Sequence, residues 1–153
     1  MIDYKKYFVP DSVIFGNILV DDKFLCHLQL NQTWVCITDN NVAKTKLFNH
    51  LVDLLNSKVS LHLEFIEAGE ASKNYANKIA IEHTMLELGL RRNVGIIAVG
   101  GGVVLDLAGF VASSYCRGIP WLAVPTSLMA MVDVCVGGKT GINTIYGKNT
   151  LGA

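Results

Sequence analysis

A chain of 153 residues, 51% hydrophobic and 17% charged, has the length of one domain and enough apolar side chains for a large core, which excludes a disordered protein. Thirteen basic residues balance thirteen acidic ones. The clustered basic excess of a nucleic-acid binder is therefore absent, but small anions stay open as ligands because backbone amides bind them without net charge.

The opening Met1-Ile2-Asp3-Tyr4-Lys5-Lys6 has no apolar stretch behind it and reads as no signal peptide. Residues 12–20 alternate loosely and suit an entering strand or hairpin. Residues 34–38 form a short apolar run that ends at the turn signal Asp39-Asn40-Asn41. Residues 42–55 predict a helix with Leu47, Leu51, Leu54 and Leu55 on one face. Residues 59–66 predict a strand, 68–70 a turn, and Ser72 an N-cap. The helix that follows would bury Ala76, Ile79, Ala80, His83 and Leu86 and stop at Gly89. A buried strand over 95–99, a glycine turn over 100–102 and a helix over 103–114 come next. A strand over 119–124 closes at Pro125, and a short helix runs through Val132.

This alternation predicts an α/β fold, with a Rossmann-like parallel sheet covered by helices on both faces. The most apolar stretch, 94–105, is broken by Asp106 well short of a membrane span. The four cysteines (Cys26, Cys36, Cys116, Cys135) have mostly apolar neighbours and no C-x-x-C spacing. They read as buried free thiols of a soluble cytoplasmic protein. The chain stops at Leu151-Gly152-Ala153, just after a glycine-rich segment, with no closing helix or strand in view. We read it as a single domain over 1–153, truncated at its C-terminal end.

The chemistry concentrates at glycines. Gly100-Gly101-Gly102 follows a buried strand and opens a helix whose free N–H groups and dipole suit a phosphate. The third glycine of G-x-G-x-x-G is missing, since Leu105 stands there, and a turn serving only tight helix–sheet packing is the competing reading. Asp39, at a strand end, suits a ribose hydroxyl or equally an Asx turn. Glu70 and Lys73 suit the adenosine end of a nucleotide, or a solvated i, i+3 pair. Further on, Asp133, Lys139, Lys148 and Asn149 lie in glycine-rich backbone that fits an anionic, hydroxylated substrate. Gly137-Gly138-Lys139-Thr140 resembles part of a P-loop, but the first glycine of that motif is missing, which discounts an NTPase. His27, His50, His62 and His83 lack metal-type spacing, and no metal site is assigned.

Taken together, the segments 100–110, Arg117-Gly118, 124–128, Val132-Asp133, 136–143 and Gly147-Lys148-Asn149 resemble the 3-dehydroquinate synthases in order and spacing. Asp39-Asn40-Asn41-Val42 and Gly69-Glu70-x-x-Lys73 match the family's earlier nucleotide contacts. The resemblance implies the N-terminal domain of a dehydroquinate synthase-like fold, without the C-terminal helical domain. It implies NAD and a divalent metal, zinc or cobalt, as cofactors. It also implies conversion of 3-deoxy-D-arabino-heptulosonate 7-phosphate to 3-dehydroquinate and phosphate, a carbon–oxygen lyase step in the shikimate pathway to chorismate and the aromatic amino acids. Transient oxidation of a hydroxyl acidifies the neighbouring C–H, and phosphate leaves by elimination.

By that resemblance Asp39, Glu70 and Lys73 contact the adenosine part of NAD. Gly101, Gly102 and Asp106 line its pyrophosphate and ribose, with Thr126 and Ser127 nearby. Asp133 and Lys139 lie near the nicotinamide and the reacting carbons, while Lys148 and Asn149 touch substrate and cofactor. Arg117 reaches the substrate phosphate of an adjoining subunit, which implies a homodimer. Leu105 replaces a usual family glycine. The metal ligands, one glutamate and two histidines, belong to sequence beyond Asn149, so the chain alone is expected to be inactive. Another sugar-phosphate cyclase (an inosose or valiolone synthase) and a non-catalytic NAD-binding remnant are the alternatives.

Overall fold

The computed structural model describes Cys26, Leu28 and residues 33–153; the expected element over 12–20 and His27 lie outside the described residues. Four parallel strands form the central sheet: β1 (Thr33–Asp39), β2 (Ser60–Ile66), β3 (Val94–Gly100) and β4 (Trp121–Pro125), in the order β2-β1-β3-β4. Register is continuous, with Thr33 opposite Ser60 on one side and Val94 on the other. β3 is buried along its whole length, as an apolar strand covered on both faces must be.

Alternation along the strands divides the core in two. Trp34 and Cys36 of β1, with Ile97 and Val99 of β3, pack on α1 (Lys46–Asn56) through Phe48, Leu51 and Leu55. Val35, Ile37, Ile96 and Ala98 point the other way. They meet α2 (Tyr75–Glu87) and α3 (Gly102–Ser114), the latter through Val104, Leu105, Leu107, Ala108 and Val111. Helices thus cover both faces, as the pattern predicted. Burial pushes the Cys36 thiol up to about 12, which keeps it unreactive. All four cysteines are free, but Cys26 is exposed and Cys116 and Cys135 are half-buried, so the expectation of buried thiols holds only for Cys36.

Several local expectations change. The helix expected over 42–55 is broken at Thr45, whose hydroxyl caps the Phe48 amide at 3.2 Å; a 3-10 turn (Val42–Lys44) precedes it and Leu47 is exposed. The cap of α2 is Asn74, not Ser72: Asn74 Oδ1 accepts from Asn77 N at 2.9 Å, while Ser72 ends a 3-10 turn, Glu70–Ser72. Gly89 does end α2, at φ +69, where the Leu90 amide reaches back to the Met85 carbonyl.

The buried face of α2 is Lys78, Ile81 and Met85 rather than the one containing His83, which is exposed with Ala76, Ala80 and Leu86. The reason is Lys78. Its ammonium pairs with Glu82 at 2.5 Å and sits 4.9 Å from the Phe110 ring centre, so a charged residue faces the core.

The glycine-rich tail is an antiparallel hairpin, β5 (Gly141–Thr144) with β6 (Gly147–Gly152), so closing strands are present where none was expected. It docks against α3 at Gly109. A Cβ there would overlap the Thr140 methyl and lie 3.2 Å from the Trp121 ring. Leu105 is a fully buried core residue, and the close approach of this helix is made at Gly109.

Gly109→Ala should therefore cost about 1–3 kcal/mol. Thr140→Ser, which removes the clashing methyl, should recover part of the loss in the double variant. Urea unfolding midpoints of the three variants against wild type measure this.

Candidate functional site

The strand order decides where a site can form. From β1 the chain turns outward to β2 through α1, and from β3 it turns the opposite way to β4 through α3. The crevice outside the carboxyl ends of β1 and β3 lies where the connections diverge, the usual ligand position in such sheets. Asp39 stands at one side of it and Gly100 at the other.

Gly101 is the N-cap of α3, in extended backbone, and among the described residues no side chain caps the first-turn amides. The Gly100 carbonyl accepts from Thr126 N at 2.9 Å, which ties the turn to the loop after β4. Gly100 is required by packing, since a Cβ would come within 2.6 Å of Val104 Cβ. Gly101 and Gly102 are different. Their added Cβ atoms would meet only Ser127 Oγ at 3.6 Å and Val134 Cγ2 at 3.4 Å, ordinary contacts. The fold does not need glycine at either position. What their absent side chains leave open is the approach to the mouth of α3, where amides and helix dipole favour an anion.

Asp39 makes an Asx turn: Oδ1 accepts from Asn41 N at 2.8 Å and Val42 N at 2.9 Å. Oδ2 takes no bond among the described residues, so the turn and a ligand contact are compatible.

Lys73 is not a solvated partner of Glu70. It is 4% exposed, and its ammonium donates to Asp106 Oδ2 and to Asn149 Oδ1. Burial raises the Asp106 carboxyl pKa; the Lys73 bond and charge pull it down, and Glu70 and Asp133 push it up further. Glu70, exposed, accepts from Asn143 Nδ2 at 2.7 Å. The Asn149 amide donates to Asn143 Oδ1 at 2.9 Å, and Asn143 N donates to the Lys73 carbonyl at 2.9 Å.

Glu70, Lys73, Asp106 and Asn149 are thus brought together, with Asn143 between them. The sequence reading had Asn143 only as part of a glycine-rich motif. Its partners are 73 residues upstream and 6 downstream, and no local pattern connects the first of these.

Thr126 and Ser127 follow β4 and are exposed; Ser127 Oγ accepts from Ala130 N at 3.3 Å at the start of a π-helical turn, Ala130–Val134. That turn carries Asp133, exposed. Lys139 and Lys148 are also exposed and enter no ion pair among the described residues.

Arg117 lies apart. It follows the C-terminal end of α3, about 20 Å of helix away from the glycine turn. Three successive residues there, Cys116, Arg117 and Gly118, have φ of 50°, 71° and 107°. Among the described residues no three His, Cys, Asp or Glu side chains cluster to hold a metal, and no helix is long and apolar enough to cross a membrane.

Comparison with known proteins is decisive here, since the 3-dehydroquinate synthase N-terminal family model matches residues 64–153, more than half of the chain. The chain belongs to the 3-dehydroquinate synthase family. It is 48% identical over 130 residues to the pentafunctional AROM polypeptide of Candida tropicalis, covering 80% of this chain and 8% of that one. It is 42% identical over 147 residues to the 3-dehydroquinate synthase of Streptococcus sanguinis, covering 90% of this chain and 39% of that one.

Among solved structures, a 2-deoxy-scyllo-inosose synthase complexed with carbaglucose-6-phosphate, NAD+ and Co2+ superimposes with a TM-score of 0.75 at 26% identity. The overlap covers 82% of this chain and 34% of that one. The chain therefore spans well under half the length of the family members it matches.

Removing the Lys73 ammonium leaves Asp106 charged and half-buried and Asn149 without its donor. Lys73→Met should destabilise the protein by about 3 kcal/mol at pH 7. A carboxyl whose folded pKa is raised takes up its proton more readily folded than unfolded, so acidification favours the folded state through this group. The deficit should narrow as pH falls from 7 toward 4. Urea titrations of wild type and variant across that range provide the check.

Proposed function

We propose that this chain is the NAD-binding part of a 3-dehydroquinate synthase. The whole enzyme would convert 3-deoxy-D-arabino-heptulosonate 7-phosphate to 3-dehydroquinate and phosphate. One observation carries the reading: at the switch point of the sheet, two glycines that the fold does not require flank a helix mouth with no side-chain cap among the described residues. That geometry admits a diphosphate to the amides of α3. Family membership and the higher identity to 3-dehydroquinate synthases than to the inosose synthase support the substrate assignment.

When bound, NAD supplies a reversible hydride acceptor. The chain's own residues orient and exclude. Gly101 and Gly102 would offer their amides to the pyrophosphate, with Thr126 and Ser127 beside them and Asp106 held one turn inside by Lys73. Asp39 and Glu70 would face the adenosine end. The exposed Lys139 and Lys148 would supply cations to the phosphorylated substrate, with Asp133 and Asn149 orienting its hydroxyls.

The related inosose synthase was solved with Co2+. A divalent metal, zinc or cobalt, belongs to the whole-enzyme reading, but the described residues offer no fitting donor set, and no step of this chain draws on one. Arg117, too far along α3 to serve its own glycine turn, would serve a second subunit in a cytoplasmic homodimer.

In the full-length protein, Gly101→Val should raise the Kd for NAD at least tenfold and leave the melting temperature within a few degrees, because the added side chain obstructs the ligand rather than the core. Titration calorimetry with NAD and a thermal melt test both halves. The full-length protein should also release phosphate from the heptulosonate phosphate, and Lys139→Ala should lower kcat by about two orders of magnitude, the usual effect of losing a group that stabilises developing charge. Absence of phosphate release, or wild-type kcat in the variant, would reject the activity or the lysine's role respectively.

A further inference from the structure

We infer that Asn143 is a positioning residue for this site: a single carboxamide sets Glu70 with its nitrogen and Asn149 with its oxygen. The inference rests on the NAD reading above and goes beyond it by naming what holds two of the ligand-facing groups in place.

The amide orientation follows from the partners. The Asn149 backbone N–H can only donate, so the Asn143 oxygen must face it. The Glu70 carboxylate can only accept, so the Asn143 NH2 must face that side. Neither partner is held by packing, because Glu70 and Asn149 are both exposed. Asn149 also sits at φ 54, a left-handed conformation that a non-glycine residue adopts at some cost. The bond from its amide to Asn143 offsets that cost and leaves its carboxamide oxygen aimed at the Lys73 ammonium.

Asn143 is itself anchored on β5. Its amide donates to the Lys73 carbonyl, and its backbone bridges Asn74 in parallel register. One strand residue therefore fixes the spacing between the turn carrying Glu70 and Lys73 and the hairpin carrying Lys148 and Asn149. An ionised aspartate would lack the donor for Glu70, alanine would lack both groups, and glutamine would overreach by one methylene.

The test uses the full-length protein and NAD as the probe. Asn143→Ala should raise the Kd for NAD about tenfold and speed hydrogen exchange at the Asn149 amide, which reads the geometry without any ligand. Asn143→Asp keeps the volume and the acceptor for the Asn149 amide but sets a second carboxylate against Glu70. It should leave exchange at Asn149 close to wild type while raising the Kd for NAD, so that the two ends of the carboxamide are read separately.

A Kd for Asn143→Ala within twofold of wild type, unchanged exchange at Asn149 in that variant, or exchange at Asn149 in Asn143→Asp as fast as in Asn143→Ala overturns the positioning role. Wild-type protein that fails to bind NAD overturns the reading of the site, and this inference with it.

Discussion

The buried Lys73 ammonium is the constraint on which the site depends. A cation removed from water costs several kcal/mol unless it is paired and hydrogen-bonded. Here the partners come from remote sequence: Asp106 is 33 residues away and Asn149 is 76 residues away. Satisfying one charge therefore brings together the turn after β2, the second turn of α3 and the β5–β6 hairpin. Ile142 of β5 already anchors the hairpin in the core with the side chains of α3; the lysine fixes how the turn and the hairpin stand over the carboxyl ends of the strands.

The sheet supplies the other half of the arrangement. Because β1 and β3 are adjacent while their following strands lie on opposite sides, the backbone leaves a crevice at their ends without any side chain being specialised for it. Gly100 then serves packing, and Gly101 and Gly102 serve access. Glycines that look identical in the sequence thus have separate physical reasons, visible only when a Cβ is placed on each.

This explains which features could be read from the chain and which could not. The continuous apolar run of β3, its glycine turn and the strand–helix alternation are local signals, and they led directly to the parallel sheet and the mouth of α3. The face of α2 was misread because periodicity treats a lysine as solvent-facing, whereas Lys78, paired with Glu82 one turn on, is covered by Phe110, a ring that reaches it only in the fold. The hairpin was missed because glycine lowers the local strand signal; yet Gly141 lies opposite Gly152, and a Cβ on Gly141 would come within 2.7 Å of the Leu151 carbonyl. Those glycines, which suggested a loop, permit close strand pairing. Asp39, Glu70, Lys73 and Asp106 were named together from a family pattern, but the bonds of Lys73 to Asp106 and Asn149, and the part played by Asn143, depend on separations that no spacing rule encodes.

The electrostatics of the helix mouth bring these parts into one argument. An open helix N-terminus carries the equivalent of about half a positive charge, confined to its first turn. A free carboxylate at Asp106, one turn further along, would oppose that potential, and Glu70 and Asp133 are near enough to raise the same carboxyl's pKa. Left unpaired, this acidic group would make the crevice inhospitable to a phosphate. Lys73 cancels the charge of Asp106 from the buried side and occupies none of the approach to Gly101, since its own ammonium is almost wholly enclosed. Glu70 is drawn toward Asn143, at the hairpin. The positive end of α3 is thus left facing solvent through two glycines, with Asp106 neutralised by Lys73 and Glu70 bound by Asn143.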